Sequence, residues 1–172
     1  TCMWANNETG AIQPIEEIAA RANATGTPVH VDAVQAVGKV PINFSDLGIT
    51  SLAASAHKFG GPTGMGALLL RRATACVPLL HGGGQERDIR SGTLDTPGIA
   101  ALAAAVELSV KEQPDHAARV AALRDDLVRR VVEVVPDAHL HGAPAGPQRL
   151  PGNAHLGFPG CEGDSLLMLL DA

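Results

Sequence analysis

Residues 50–61 read TSLAASAHKFGG, and this stretch decides how the chain is expected to fold. A short apolar run, residues 50–54, leads directly into polar side chains, a lysine and then glycines. Residues 1–5 and 28–31 have the same form, since polar side chains follow each apolar run at once. In an open parallel sheet the carboxyl ends of the strands share one edge, where ligand sites form. The sequence therefore predicts a parallel sheet with a ligand site at the edge where the strands end.

Helical segments alternate with these predicted strands. Pro14 opens a helix and Gly26 ends it, with apolar residues at helical spacing between them. Residues 66–70 form a further apolar run bounded by turn-forming residues. This alternation predicts an α/β chain with a mainly parallel sheet and helices on both faces.

The second half of the chain has a different pattern. Thr96 and Pro97 open a helix that we expect to end before Gln113-Pro114, and a longer helix with an apolar stripe follows. We therefore predict a domain boundary there, with one domain over residues 1–113 and the beginning of a small α+β domain over residues 114–172. The other elements expected in the small domain are two short strands and a helix, at residues 138–141, 153–158 and from Glu162 onward.

The composition excludes several classes of protein. The 172 residues are 45% hydrophobic with a net charge of −5, which suits a folded domain and not a disordered tail. Three Phe, one Trp, no Tyr and an acidic balance argue against nucleic-acid binding. No apolar run approaches the roughly 20 residues of a membrane span. Cys2, Cys76 and Cys161 lie far apart, which favours a reducing, cytoplasmic compartment.

Both ends of the chain read as interior segments. The first residues resemble a buried strand without an initiator methionine or leader, and the last form a helical run without a stop signal. We therefore expect a fragment of a longer protein.

The polar strand ends contain the groups that one cofactor needs. Pyridoxal phosphate is held as a Schiff base by a lysine, is kept protonated at its ring nitrogen by an aspartate, and needs donors for its phosphate. Lys58, Asp32 and Ser55 could supply these parts, although a lysine beside glycines is also typical of a surface loop. A Walker-type phosphate loop fits less well, because residues 60–66 lack the Gly-Lys-Ser/Thr ending.

Four strings occur in a fixed order along the chain: ANNETG at residues 5–10, HVDAVQAVGK at 30–39, SAHKFGGP at 55–62 and HGGGQERDIRSGT at 81–93. Together they resemble the cysteine desulfurases, members of the class V aminotransferase group of pyridoxal phosphate enzymes. The resemblance continues through residues 151–153 and 162–167 and so covers nearly the whole chain. It implies part of the large domain of the pyridoxal phosphate-dependent transferase fold.

The resemblance also implies roles for seven residues. Lys58 would bind the cofactor covalently and then shuttle the Cα proton of the substrate. Asp32 would pair with the ring nitrogen, and Gln35 would bond to the phenolic oxygen. The other four would lie at the phosphate or the substrate: Ser55 and His57 at the phosphate, Thr93 at the phosphate of the partner subunit in a homodimer, and Asn7 near cofactor and substrate carboxylate.

The activity implied is conversion of L-cysteine to L-alanine and an enzyme-bound persulfide. The sulfur would pass to an acceptor protein for iron–sulfur cluster or thiocofactor assembly. None of the three cysteines has the Ser/Gly-rich context of the family's catalytic loop, and the substrate-gripping arginine is also missing. We therefore expect this fragment to be inactive alone. Selenocysteine lyase, a class V aminotransferase and a non-catalytic dimer scaffold remain alternatives.

Several residues receive a structural interpretation. His139 and His141 share one side of a predicted strand, but no third ligand lies near them in sequence, so we expect no metal site. Residues 82–93 are expected to form an ordered subunit contact. Lys39 and Lys111 are expected to face solvent.

Overall fold

The computed structural model describes residues 1–172, which form a four-stranded sheet, a two-stranded sheet and three helices. The elements in chain order are β1 (Cys2–Met3), α1 (Ile15–Asn23), β2 (His30–Asp32), β3 (Ser51–Ser55), a 3-10 turn (Ala56–Phe59), β4 (Gly66–Leu70), α2 (Thr96–Val134), β5 (His139–Leu140), β6 (Leu156–Gly157) and α3 (Gly163–Asp171).

The larger sheet has the strand order β1-β2-β3-β4. β1 pairs with β2 and β2 with β3 in parallel, which confirms the predicted α/β class with a mainly parallel sheet. β4 instead pairs with β3 antiparallel. The connection between them, residues 56–65, is shorter than the dozen or so residues that a parallel crossover requires. This strand must therefore return beside β3 in the opposite direction.

The hydrophobic core lies within the first 52 residues. Eleven buried residues form one cluster that runs in sequence from Trp4 to Leu52. The helix α1 contributes Ile15 and Ala19, and β2 contributes Val31, which is fully buried. Burial of these side chains removes apolar surface from water and so stabilises this part of the chain.

The helix α2 is a single element of 39 residues, so the expected break before Pro114 is wrong. A proline inside a helix removes one N–H donor and crowds the preceding turn. Here Gln113 supports that point by donating from Nε2 to the Lys39 carbonyl oxygen at 3.1 Å. The start of α2 is also shifted, because Asp95 and not Thr96 is the N-cap and accepts the Gly98 N–H. The domain boundary stays a prediction.

Polar contacts hold the two-stranded sheet near the loop that follows β1. Arg149 donates from Nε to the Ala143 carbonyl at 2.6 Å, from Nη1 to Asn153 Oδ1 at 2.7 Å, and from Nη2 to the His141 carbonyl. Asn153 Nδ2 in turn donates to the Glu8 carbonyl at 2.8 Å. A buried guanidinium and an amide therefore join this sheet to the loop after β1.

Three histidines stack on the two-stranded sheet. The rings of His139 and His141 lie 4.5 Å apart, and those of His141 and His155 lie 5.0 Å apart. No group of three or more His, Cys, Asp or Glu residues is arranged to hold a metal ion. None of the helices combines the length and the apolar character needed to cross a bilayer.

Candidate functional site

The register of the sheet brings three polar segments to the same edge. Met3 lies opposite Asp32, and Asp32 lies opposite Ala53, so β1 and β2 end side by side while β3 continues to Ser55. The Trp4 amide continues this alignment by donating to the Asp32 carbonyl at 2.8 Å. The residues that follow each strand therefore emerge next to one another, as the sequence predicts. Asn7 is exposed beyond β1.

Ser55 ends β3, and the 3-10 turn that follows carries His57 and Lys58. Ser55 Oγ and His57 Nδ1 lie 2.9 Å apart and form a hydrogen bond. Ala56 is fully buried and anchors the turn, whereas His57 and Lys58 are exposed. A Cβ on Gly61 would lie 2.8 Å from the Ala56 Cβ, so glycine is required for this close approach. The turn therefore presents its polar side chains to solvent from a fixed base.

Three residues that follow or end these strands each have a polar atom without a partner in the chain. Asp32 Oδ1 accepts the Val34 N–H at 2.9 Å, which leaves Oδ2 unpaired. Lys58 forms no ion pair, because all the salt bridges of the chain lie on α2. Gln35 uses only its Oε1, which accepts from Lys39. A carboxylate oxygen, an ammonium group and an amide donor are thus available to a ligand.

Lys39 is a residue of the site region that the sequence analysis missed. The expectation that it faces solvent is wrong, because the residue is half-buried and its Nζ donates to Gln35 Oε1 at 2.8 Å. Burial, and then the nearby charge of Lys58, lower the pKa of Lys39 below its ordinary value of 10.5. No helix spans these residues, so the helical rule for residues four apart could not have indicated this pairing. Lys111 is exposed, as predicted.

A groove of about 360 Å³ lies between the 3-10 turn and α2. Both Lys39 and Lys58 line it, together with Ser109 and Glu112 of the helix. Asp32, Gln35 and Ser55 are not among its lining residues. The chain therefore brings Lys58 close to Lys39 on one side of the turn, while the carboxylate and hydroxyl groups lie along the strand ends.

The glycine-rich loop, residues 82–93, contains an unusual backbone. Glu86, Arg87 and Asp88 have φ values of 50°, 59° and 62°, so three consecutive non-glycine residues are left-handed. Such a conformation costs about 1–2 kcal/mol per residue. The Gly92 amide donates to Gln85 Oε1 at 2.9 Å and helps to close the loop. Thr93 is exposed at its end, and its predicted role in a partner subunit stays a prediction.

Comparisons with known proteins agree with the resemblance seen in the motifs. An IscS-like cysteine desulfurase from Mycobacterium tuberculosis is 54% identical over 170 residues, which are 99% of this chain and 43% of that protein. A cysteine desulfurase IscS from Methanosarcina thermophila is 46% identical over 170 residues, covering 99% of this chain and 41% of that protein. The chain therefore spans less than half the length of these curated relatives.

Solved structures agree on the fold. A NifS-like protein superposes with a TM-score of 0.90 at 40% identity, covering 98% of this chain and 46% of that one. DndA from Streptomyces lividans gives a TM-score of 0.81 at 35% identity, with 98% and 48% covered. A model of the aminotransferase class-V family matches residues 1–172. Because that match extends over its whole length, this chain belongs to the class V aminotransferase family.

Proposed function

We propose that this chain is the part of a pyridoxal phosphate-dependent cysteine desulfurase that carries the cofactor-binding lysine. The single observation that supports this most is the set of unpaired groups near the ends of the parallel strands. These are the Oδ2 of Asp32 at the end of β2, the Nε2 of Gln35 in the turn that follows it, and the Nζ of Lys58 on the 3-10 turn that follows β3. The names of the curated relatives point to the same activity.

The donor set fits the chemistry of this cofactor. Pyridoxal phosphate has a carbonyl that needs an amine, a ring nitrogen that needs a carboxylate, a phenolic oxygen that needs a donor, and a phosphate. Lys58, Asp32 and Gln35 match the first three. With Ser55 Oγ as the donor to His57 Nδ1, the Nε2–H of His57 is left to donate to a phosphate oxygen.

Each side chain then has a defined task. When bound, pyridoxal phosphate accepts the electron pair that is left when a bond at the amino-acid Cα breaks. The carboxylate of Asp32 would hold the proton on the ring nitrogen, and the Val34 N–H keeps that carboxylate oriented through Oδ1. The free amine of Lys58 would take the proton from the substrate Cα and return a proton later. Asn7 would lie near the substrate carboxylate.

The activity of the whole protein forms the rest of the proposal. L-cysteine would lose its sulfur to a protein thiolate, which becomes a persulfide, and the remaining carbon skeleton would take up a proton to become L-alanine. The sulfur would continue to an acceptor protein for cluster or thiocofactor assembly in the cytoplasm. A homodimer would bring Thr93 of the glycine-rich loop to the neighbouring site.

The proposal is tested by trapping the cofactor on its lysine. The chain is incubated with pyridoxal phosphate, reduced with borohydride and digested, and the modified peptide is identified by mass. There are only three candidates, Lys39, Lys58 and Lys111. We expect the label at Lys58, its loss in Lys58→Ala, and its retention in the matched control Lys111→Ala. If the label is spread equally over the three lysines or is absent, the same trapping on the complete protein separates a need for the remaining segments from a wrong assignment, and the same result there would contradict the proposal.

A second assay separates the related activities. The complete protein is supplied with L-cysteine and a reductant, and alanine and sulfide are measured. A cysteine desulfurase releases both in equal amounts. Transfer of the amino group without sulfide would favour a class V aminotransferase, and turnover of selenocysteine alone would favour a selenocysteine lyase. Absence of any cofactor binding would favour the non-catalytic scaffold.

A further inference from the structure

We propose that Lys39 is a positioning residue that fixes the side-chain amide of Gln35, so that Gln35 offers its Nε2 hydrogens, and not its oxygen, to a bound ligand. The inference rests on the proposed function, because the ligand group concerned is the phenolic oxygen of the cofactor. It adds a residue to the site that the sequence motifs did not single out.

The hydrogen bond between the two side chains determines the orientation of the amide. Lys39 Nζ donates to Gln35 Oε1 at 2.8 Å. An ammonium group has three donors and no acceptor, whereas a glutamine amide has one acceptor oxygen and one donor NH₂. A rotation of the amide by half a turn would place its NH₂ donors against the ammonium donors of Lys39. Gln35 therefore keeps Oε1 on Lys39 and has Nε2 free for an acceptor.

The backbone of Lys39 is held from both sides. Its carbonyl accepts from Gln113 Nε2 of α2 at 3.1 Å, and its amide donates to the Ala36 carbonyl at 3.0 Å. The preceding Gly38 has φ +74°, and a Cβ there would lie 3.0 Å from the Ser109 Cβ. This glycine lets the segment approach α2 closely. Lys39 therefore extends its side chain from a base that the long helix supports.

The charge of Lys39 has no other side-chain partner in the chain. All the salt bridges lie on α2, and the amide of Gln35 is the only side chain that Lys39 Nζ contacts by a hydrogen bond. A half-buried ammonium group without a carboxylate is unfavourable unless it is hydrogen-bonded. Burial and the charge of Lys58 accordingly lower the pKa of Lys39. The Gln35 contact is thus the interaction that retains this lysine in place.

The first experiment uses the chain without cofactor. Side-chain amide resonances of ¹⁵N-labelled protein are followed against pH, and Gln35 is assigned by its loss in Gln35→Glu. We expect the Gln35 Nε2 signals to titrate with Lys39, at a pH below 10.5. The titration should disappear in Lys39→Met and persist in Lys111→Met, which removes an exposed lysine. If the Gln35 signals did not shift as Lys39 loses its proton, the proposal would be overturned.

The second experiment adds pyridoxal phosphate. In Lys39→Met the amide of Gln35 is no longer held, so its hydrogen bond to the phenolic oxygen of the cofactor is weakened or lost. Loss of one hydrogen bond to a charged group is worth about tenfold in affinity. We therefore expect this variant to bind the cofactor about tenfold more weakly, with a shifted absorbance maximum. Lys39→Arg retains a donor, and we expect it to bind within about threefold of wild type. Fluorescence of Trp4 verifies that both variants are folded. Wild-type affinity and spectrum in Lys39→Met would overturn the proposal.

The two experiments distinguish this inference from the proposed function. Borohydride trapping of the wild-type chain shows whether Lys58 binds the cofactor. If it does not, and trapping at Lys58 fails in the complete protein as well, the proposed function fails, while the cofactor-free titration still decides whether Lys39 orients Gln35. If trapping at Lys58 succeeds and Gln35 does not respond to Lys39, only the present inference fails.

Discussion

The two predicted halves of the chain are stabilised in different ways. Residues 1–113 contain the whole apolar core cluster, from Trp4 to Leu52. Residues 114–172 contain only four buried residues, and two of them are arginines: Arg124, Ala138, Arg149 and Leu150. The first region is therefore held by apolar packing, and the second by hydrogen bonds from buried guanidinium groups to backbone carbonyls.

The helix α3 is apolar in sequence, but no element within these 172 residues covers it. Its residues 167–170 read LMLL, yet each of these side chains is at least 68% exposed. Leu52, with similar chemistry, is only 2% exposed because β3 lies between two paired strands and this side chain belongs to the buried apolar cluster. What differs is the presence of neighbouring elements, since burial needs a second surface.

The largest effect is expected from truncating the apolar core. We expect Leu52→Ala to lower the free energy of unfolding by about 3 kcal/mol, because it leaves a cavity in close-packed surroundings. Urea unfolding is followed by the fluorescence of Trp4, the only tryptophan, which is 7% exposed in the same cluster. The matched control Leu169→Ala, at a 75% exposed position, should stay within about 0.5 kcal/mol of wild type. Equal losses in the two variants would remove the distinction between the regions.

A smaller and more local effect is expected from Arg149→Met. This change leaves the carbonyls of Ala143 and His141 without their donor, which costs about 2 kcal/mol. We expect faster hydrogen exchange at the Leu150 amide, which bonds to the Gly10 carbonyl, and little change in the core strands.

The control for that change is Arg129→Met. Arg129 pairs with Asp126 at 2.6 Å, but its side chain is 61% exposed, and exposed ion pairs contribute little. We expect no measurable change in exchange or stability. If the two substitutions behaved alike, burial of the guanidinium would not be what holds the second region.

The smallest effect is expected in the glycine-rich loop, which belongs to the first region but lies outside its core. Arg87→Gly should raise stability by about 0.5–1 kcal/mol, because glycine adopts φ near +59° without steric cost but gains freedom in the unfolded chain. Thermal unfolding measures the change. Arg90→Gly, at a position without positive φ, should have the opposite sign. A loss of stability in Arg87→Gly would mean that side-chain contacts, and not backbone strain, dominate the loop.

Local patterns predicted much of the fold and part of the site. Polar residues after apolar runs indicated where Asp32 and Ser55 emerge, because strand ends and sheet edges coincide in parallel sheets. The direction of β4 could not be read from periodicity, since parallel and antiparallel strands share it. The helix continued through Pro114 because tertiary contacts outweigh one local penalty. Lys39 was missed because its burial depends on α2, which is distant in sequence.

The uninterrupted helix α2 also has a mechanical meaning. Its 39 residues extend about 58 Å at 1.5 Å per residue. Near its first half it touches the turn that carries Lys58, through Ala105 against Gly61, and farther along Arg124 donates to the Leu150 carbonyl at 3.1 Å. The helix thus contacts the lysine-bearing turn with its first half and the segment before β6 with its second half. One continuous hydrogen-bonded element therefore connects the turn that carries Lys58 to the loop between the two strands of the small sheet.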